Sequence, residues 1–114
     1  MVVHEIKSHD EFKQAINGDK PIVIDAWATW CGPCKLIKPV FAKISDTPAA
    51  EKMGFYSVDV DDQEQIAQEL GIRAMPTFLF YKDGKQIETV VGADPSKLQV
   101  SASTLETTSW ICRA

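Results

Sequence analysis

An α/β fold with one central mixed β-sheet, flanked by helices on both faces, is what this chain predicts. Three observations carry it. Strand-length apolar runs alternate with helix-periodic segments in the order β-α-β-α-β-α-β-β-α. Ile22 to Ala28 is apolar almost throughout, the pattern of a strand covered on both faces. Lys82-Asp83-Gly84-Lys85 is a tight-turn signal between two strand-like runs, so the last two strands run antiparallel.

The elements follow in order. Val2 to Ile6 reads as a short first strand. Ser8-His9-Asp10-Glu11 matches a capping box, and Phe12, Ala15 and Ile16 form the apolar face of the helix that Asn17-Gly18 ends. After the strand Ile22 to Ala28, a long helix begins just past Cys31. Leu36, Ile37, Val40, Phe41 and Ile44 are read as its buried face, and Pro39 predicts a kink by removing a backbone bond. Gly54 opens a strand from Phe55 to Val60. Asp62 to Gln65 start a third helix, which carries Ile66, Ala67 and Leu70 and closes at Gly71. Thr77 to Tyr81 and Gln86 to Val91 are the hairpin strands. Asp94-Pro95 caps and opens the final helix.

From Val100 the chain changes character. Six serines and threonines (Ser101, Ser103, Thr104, Thr107, Thr108 and Ser109) stand close together. Each costs a helix about 0.5 kcal/mol against alanine, so together they approach ~3 kcal/mol. Leu98, Ala102 and Leu105 still offer a short apolar stripe, and the helix begun at Pro95 is predicted to fray by about Thr107. The domain reading is therefore one folded unit over residues 1–99 and an atypical tail over residues 100–114 that holds Trp110 and Cys112.

The 12 basic and 16 acidic residues give a net charge of −4, and they are scattered rather than blocked. No basic patch suggests nucleic-acid binding. No apolar run reaches about 18 residues, the length that a spanning helix needs. His4, Glu5, Lys7, His9 and Asp10 interrupt the place where a secretory signal would be apolar, so a cytoplasmic location is expected. Three cysteines, two of them in a CxxC pair, do not make a disulfide framework and point to catalysis or metal binding.

Trp30-Cys31-Gly32-Pro33-Cys34-Lys35 is where the chemistry concentrates. A strand delivers Cys31 to the mouth of a helix, where free N–H groups and the partial positive charge of the helix end favour a thiolate. The alternative is a zinc half-site. Only Cys112, His4 and His9 could complete it, and none has metal-ligand spacing. Asp25 interrupts the apolar strand. A buried carboxylate is costly and has a raised pKa. The residues alone leave two roles open for it: a proton acceptor for Cys34 through a water, or a cap for backbone groups in the sheet.

These features, taken with Pro39, Met75-Pro76-Thr77, the Lys-Asp-Gly turn at 82–84 and Gly92, resemble the thioredoxin family over roughly residues 2–99. Val58-Asp59-Val60-Asp61-Asp62 is similar to the cytosolic eukaryotic branch, with a fungal cast to the N-terminal segment. The resemblance implies the thioredoxin fold with a four- or five-stranded sheet, the redox pair exposed at one end, and a cis bond at Met75-Pro76 facing it. It implies a protein-disulfide reductase that serves cell redox homeostasis. Cys31 would be the nucleophile, and Cys34, more buried, would resolve the mixed disulfide. Asp25 would be the proton acceptor. Trp30, Gly32, Pro33, Met75, Pro76, Gly92 and Ala93 would border an extended substrate peptide.

No bound cofactor or metal is implied, since the cysteines carry the electrons. NADPH would supply them through thioredoxin reductase. Peroxiredoxin, methionine sulfoxide reductase and ribonucleotide reductase are the implied clients. A monomer is implied, with Cys112 available for an intermolecular disulfide under oxidation. Fungal members of the family include cross-reactive allergens, and no residue pattern here indicates IgE binding.

Departures from the family are few. Ser57 stands where many members carry a lysine near the buried aspartate. Ala74 stands where some animal relatives place a cysteine. Trp30 and Lys35 each have a plainer reading, as a half-buried aromatic and a solvated surface lysine. Trp27 and Phe78 read as core. Gly-Pro between the cysteines resembles reducing thioredoxins, whereas disulfide isomerase domains typically carry Gly-His. An isomerase-like enzyme and a scaffold module with an incidental dithiol are the rival functions.

Overall fold

The computed structural model describes residues 3–47, 52–99 and 101. The described elements are β1 (Val3–Glu5), α1 (His9–Ile16), β2 (Ile22–Trp27), α2 (Gly32–Ser45), β3 (Gly54–Asp59), α3 (Glu64–Leu70), β4 (Thr77–Lys82) and β5 (Lys85–Val91). A further helical segment, α4, starts at residue 95. The sheet order is β1-β3-β2-β4-β5. β3 runs parallel to both β1 and β2, while β4 is antiparallel to β2 and β5. The sheet is thus mixed, as expected, and β2 lies at its centre.

Alternation along β2 divides the core into two layers. Val23 joins Phe55, Phe78, Phe80 and Val90 against Ile37, Phe41 and Ile44 of α2 and Leu98 of α4. Ile22, Ile24 and Ala26 point the other way, against Phe12, Ala15 and Ile16 of α1 and Ile66 and Leu70 of α3. Helices therefore cover both faces. Asp25 and Trp27 share the α2 side with Val23 because side chains alternate along a strand.

Helix starts show local chemistry at work. The Ser8 hydroxyl accepts the Glu11 N–H at 3.1 Å. The reciprocal arm differs from a strict capping box, since Glu11 Oε2 accepts the N–H of Lys7 at 3.3 Å. α3 begins at Glu64, two residues later than the acidic signal at Asp62 implied. Asp59 Oδ1 takes the N–H groups of Asp61 and Asp62, which holds them in a turn. Asp94 caps α4 as expected, its Oδ1 accepting the Lys97 N–H at 3.1 Å.

One predicted core residue is misplaced. Leu36 is 79% exposed, whereas Cys34, Ile37, Phe41, Ile44 and Ser45 form the buried face of α2. At 100° per residue those five centre about 130° away from Leu36. Val40 lies between and is half-buried. α2 is one continuous helix through Pro39. The predicted fraying near Thr107, the apolar positions Ala102 and Leu105, and Trp110 and Cys112 lie outside the described residues.

The β4–β5 hairpin has positive φ at both Asp83 (55°) and Gly84 (78°), the twist that a two-residue turn requires. Gly84 N–H donates to Ile16 O at 2.8 Å, docking the hairpin on the end of α1. A Cβ on residue 84 would lie 2.6 Å from Asn17 Oδ1, and the Asn17 side chain is itself held by the hydrogen bond that its Nδ2 donates to Lys13 O. Gly71 also has positive φ, 68°, but open space around it. Gly84→Ala is expected to cost about 2 kcal/mol and Gly71→Ala about 1 kcal/mol. Urea unfolding midpoints of the two variants check this, and equal losses would show that the Asn17 contact is relieved at no cost.

Candidate redox site

Cys31 is the N-cap of α2, with extended backbone at φ −91°, ψ 105°. Its own N–H donates to Ala28 O at 3.1 Å, closing the turn between β2 and α2. Its Sγ accepts the N–H of Cys34 at 3.2 Å. Gly32 and Pro33 fill the exposed first turn, where proline costs no helix bond. Cys31 and Cys34 are joined as a disulfide with Cα atoms 5.3 Å apart.

The pair is less exposed than expected, and the two cysteines are not distinguished by burial. Cys31 is 5% exposed and Cys34 4%. In the disulfide each sulfur shields the other, and Ala28, Trp27, Val60 and Met75 pack around them. What separates the two is position. Cys31 sits at the cap, in the positive field of the helix end, and Cys34 lies inside the first turn.

Met75-Pro76 is cis, as the resemblance implied. Pro76 O accepts the N–H of Gly92 at 2.9 Å, which ties the loop before β4 to the end of β5. Gly92 has φ 101° and open space where a Cβ would point. Ala93 beside it is exposed. Met75, Pro76 and Gly92 are thus gathered beside the disulfide through Met75.

Trp30 is 68% exposed, so it is no half-buried aromatic. Its indole N–H donates to Asp61 Oδ2 at 2.8 Å. Asp61 was not singled out from the sequence, because the two residues lie far apart in the chain. The run Val58 to Asp62 was visible only as a branch signature.

Asp25 is 3% exposed. Its Oδ1 is fully buried with no hydrogen-bond partner among the described residues, so that oxygen caps no backbone group. Burial pushes the carboxyl up to about 7, and the charge of Lys38 pulls partly against this. Asp25 and Cys34 line one cleft of ≈ 670 Å³ beneath the first turns of α2. Ser57, the register neighbour of Asp25 on β3, lines it too. The lysine that faces Asp25 comes from α2 instead. Lys38 was missed in the sequence, although its spacing of four from Cys34 was a usable signal. Phe78 is fully buried core and Trp27 half-buried.

Among the described residues no three His, Cys, Asp or Glu side chains cluster as a metal site requires. No helix among them is long and apolar enough to cross a membrane.

Comparison with known proteins agrees with this geometry. The thioredoxin family's sequence model matches residues 3–104. Thioredoxin of Malassezia sympodialis is 71% identical over 99 residues, covering 87% of this chain and 94% of that one. Thioredoxin-1 of Schizosaccharomyces pombe is 46% identical over 100 residues, covering 88% and 95%. The crystal structure of the Malassezia protein, described as a member of a pan-allergen family, superposes with a TM-score of 0.90 at 65% identity, covering 94% of this chain and 92% of that one. With its capped CxxC disulfide, five-stranded mixed sheet and matching sequence, the chain belongs to the thioredoxin family.

Proposed function

We propose that Cys31 attacks client disulfides, that Cys34 resolves the mixed disulfide, and that Asp25 takes the Cys34 proton across their shared cleft. The activity class follows from the family: thioredoxins are protein-disulfide reductases without a prosthetic cofactor, and thioredoxin reductase recycles them at the expense of NADPH. The single observation that supports the division of labour is the Cys34 N–H donated to Cys31 Sγ at the helix mouth. A thiolate there gains a charge-assisted bond from that N–H.

Each step balances. The Cys31 thiolate bonds to one client sulfur and expels the other as a thiolate. The Cys34 thiol then gives up its proton, bonds to Cys31 Sγ and releases the second client sulfur. Two electrons pass from the dithiol to the client. Trp30, Gly32, Pro33, Met75, Pro76, Gly92 and Ala93 would border the client chain. Peroxiredoxin, methionine sulfoxide reductase and ribonucleotide reductase are the proposed clients, and the cytoplasm, where thiols are kept reduced, is the proposed compartment. The proposed working unit is a monomer formed by residues 1–99.

Brief alkylation of the reduced protein near pH 7 tests the assignment. One label on Cys31, with Cys34 unmodified and NADPH-coupled insulin reduction lost, is the expected result. First labelling at Cys34 would reverse the roles. Asp61→Ala tests the Trp30 contact. Losing one hydrogen bond that orients the indole is expected to raise KM for insulin about fivefold with kcat nearly unchanged. An unchanged KM would show that Trp30 orientation is not used in docking.

A further inference from the structure

The Lys38 ammonium lies over the Trp27 ring, 5.5 Å from its centroid. Lys38 is one turn beyond Cys34 on α2, and Trp27 is two residues beyond Asp25 on β2, on the same side of the sheet. All four residues line the ≈ 670 Å³ cleft. The other charged groups lining it are Glu5 of β1 and Lys35 of α2. The register neighbours of Asp25, Ser57 on β3 and Phe78 on β4, are uncharged.

We infer that Lys38, seated on the Trp27 ring, is the electrostatic partner of Asp25 and a positioning residue for the resolving step. An exposed ammonium is ordinarily mobile and screened, and so does little for a neighbour. The aromatic face restricts this one to the mouth of the cleft. Its charge opposes the effect that burial has on the carboxyl. More Asp25 is then ionised near neutrality, and only the ionised form can accept the Cys34 proton. The consequence for catalysis rests on the role proposed for Asp25 above.

The test compares wild type, Lys38→Met and Lys38→Arg as full chains. Carbon-13 NMR of the Asp25 carboxyl in the oxidised protein gives its titration midpoint. Quenched single turnovers with insulin, read by intact mass, give the decay of the Cys31 mixed disulfide. Lys38→Met is expected to move the midpoint to higher pH and slow the decay roughly threefold near pH 6. Lys38→Arg is expected to restore both. About 1 M KCl should move the wild-type midpoint toward that of Lys38→Met and leave the variant in place. A midpoint unmoved in Lys38→Met overturns the inference. A moved midpoint with unchanged decay supports the pairing and removes Asp25 as the proton acceptor.

Discussion

Cys31→Ser is expected to lower NADPH-coupled insulin reduction at least about a thousandfold, to the uncatalysed background. A serine hydroxyl at this helix mouth stays protonated near neutrality and does not displace sulfur from a disulfide. Cys34 keeps its sulfur but lies inside the first turn, without the cap position that favours a thiolate at Cys31. Cys34→Ser is expected to fail differently. Steady turnover disappears as well, but Cys31 still attacks, and the client remains attached as a mixed disulfide visible by intact mass. A Cys31→Ser protein with a tenth of wild-type turnover would contradict the covalent mechanism and favour the scaffold reading. Background activity in wild type despite correct folding would do the same.

The second large effect is on stability, and it comes from Asp25. Its carboxyl titrates near 3.8 in the unfolded chain and at about 7 in the folded one. Between those values the native state keeps a proton that the unfolded state has released. Stability therefore falls as pH rises. The contribution of the protonated carboxyl is present in full below pH 3.8 and lost once pH passes about 7. At about 1.4 kcal/mol per unit, the difference is ~4 kcal/mol. Asp25→Ala is expected to exceed wild type by up to that amount near pH 8 and to show no such gain near pH 4. Urea unfolding of the oxidised proteins at several pH values checks this. A difference that stays constant with pH would place its cause in packing rather than ionisation. The stabilised variant is also expected to resolve mixed disulfides slowly, and that result would mean that the buried carboxyl serves turnover at the expense of stability.

Much of this was legible in the residues because local and long-range signals agree. Ile22 to Ala28 is apolar on both faces, and β2 does sit in mid-sheet with helices on each side. Gly71 ends α3 in the left-handed conformation that glycine tolerates best. Leu36 went astray because a helix offers neighbouring apolar residues to two different faces, and only the tertiary partners select one. The even burial of Cys31 and Cys34 depends on packing by Trp27, Val60 and Met75, which come from three separate segments. Lys38 and Asp61 were overlooked for a related reason. Each acts on a residue delivered by another element, Lys38 on Asp25 and Trp27 and Asp61 on Trp30. The pairing exists only once α2 lies across β2 and the turn after β3 returns beside the helix mouth.

The sulfur that caps α2 gives the helix a memory of the redox cycle. As a thiolate, Cys31 offers the Cys34 amide a charged acceptor, and in any disulfide it offers a nearly neutral one. The amide proton of Cys34 therefore reads out the charge on Cys31 with every electron pair transferred. Its chemical shift and exchange rate would follow the reduced fraction of the protein in a mixture of clients, with no added dye and no altered residue.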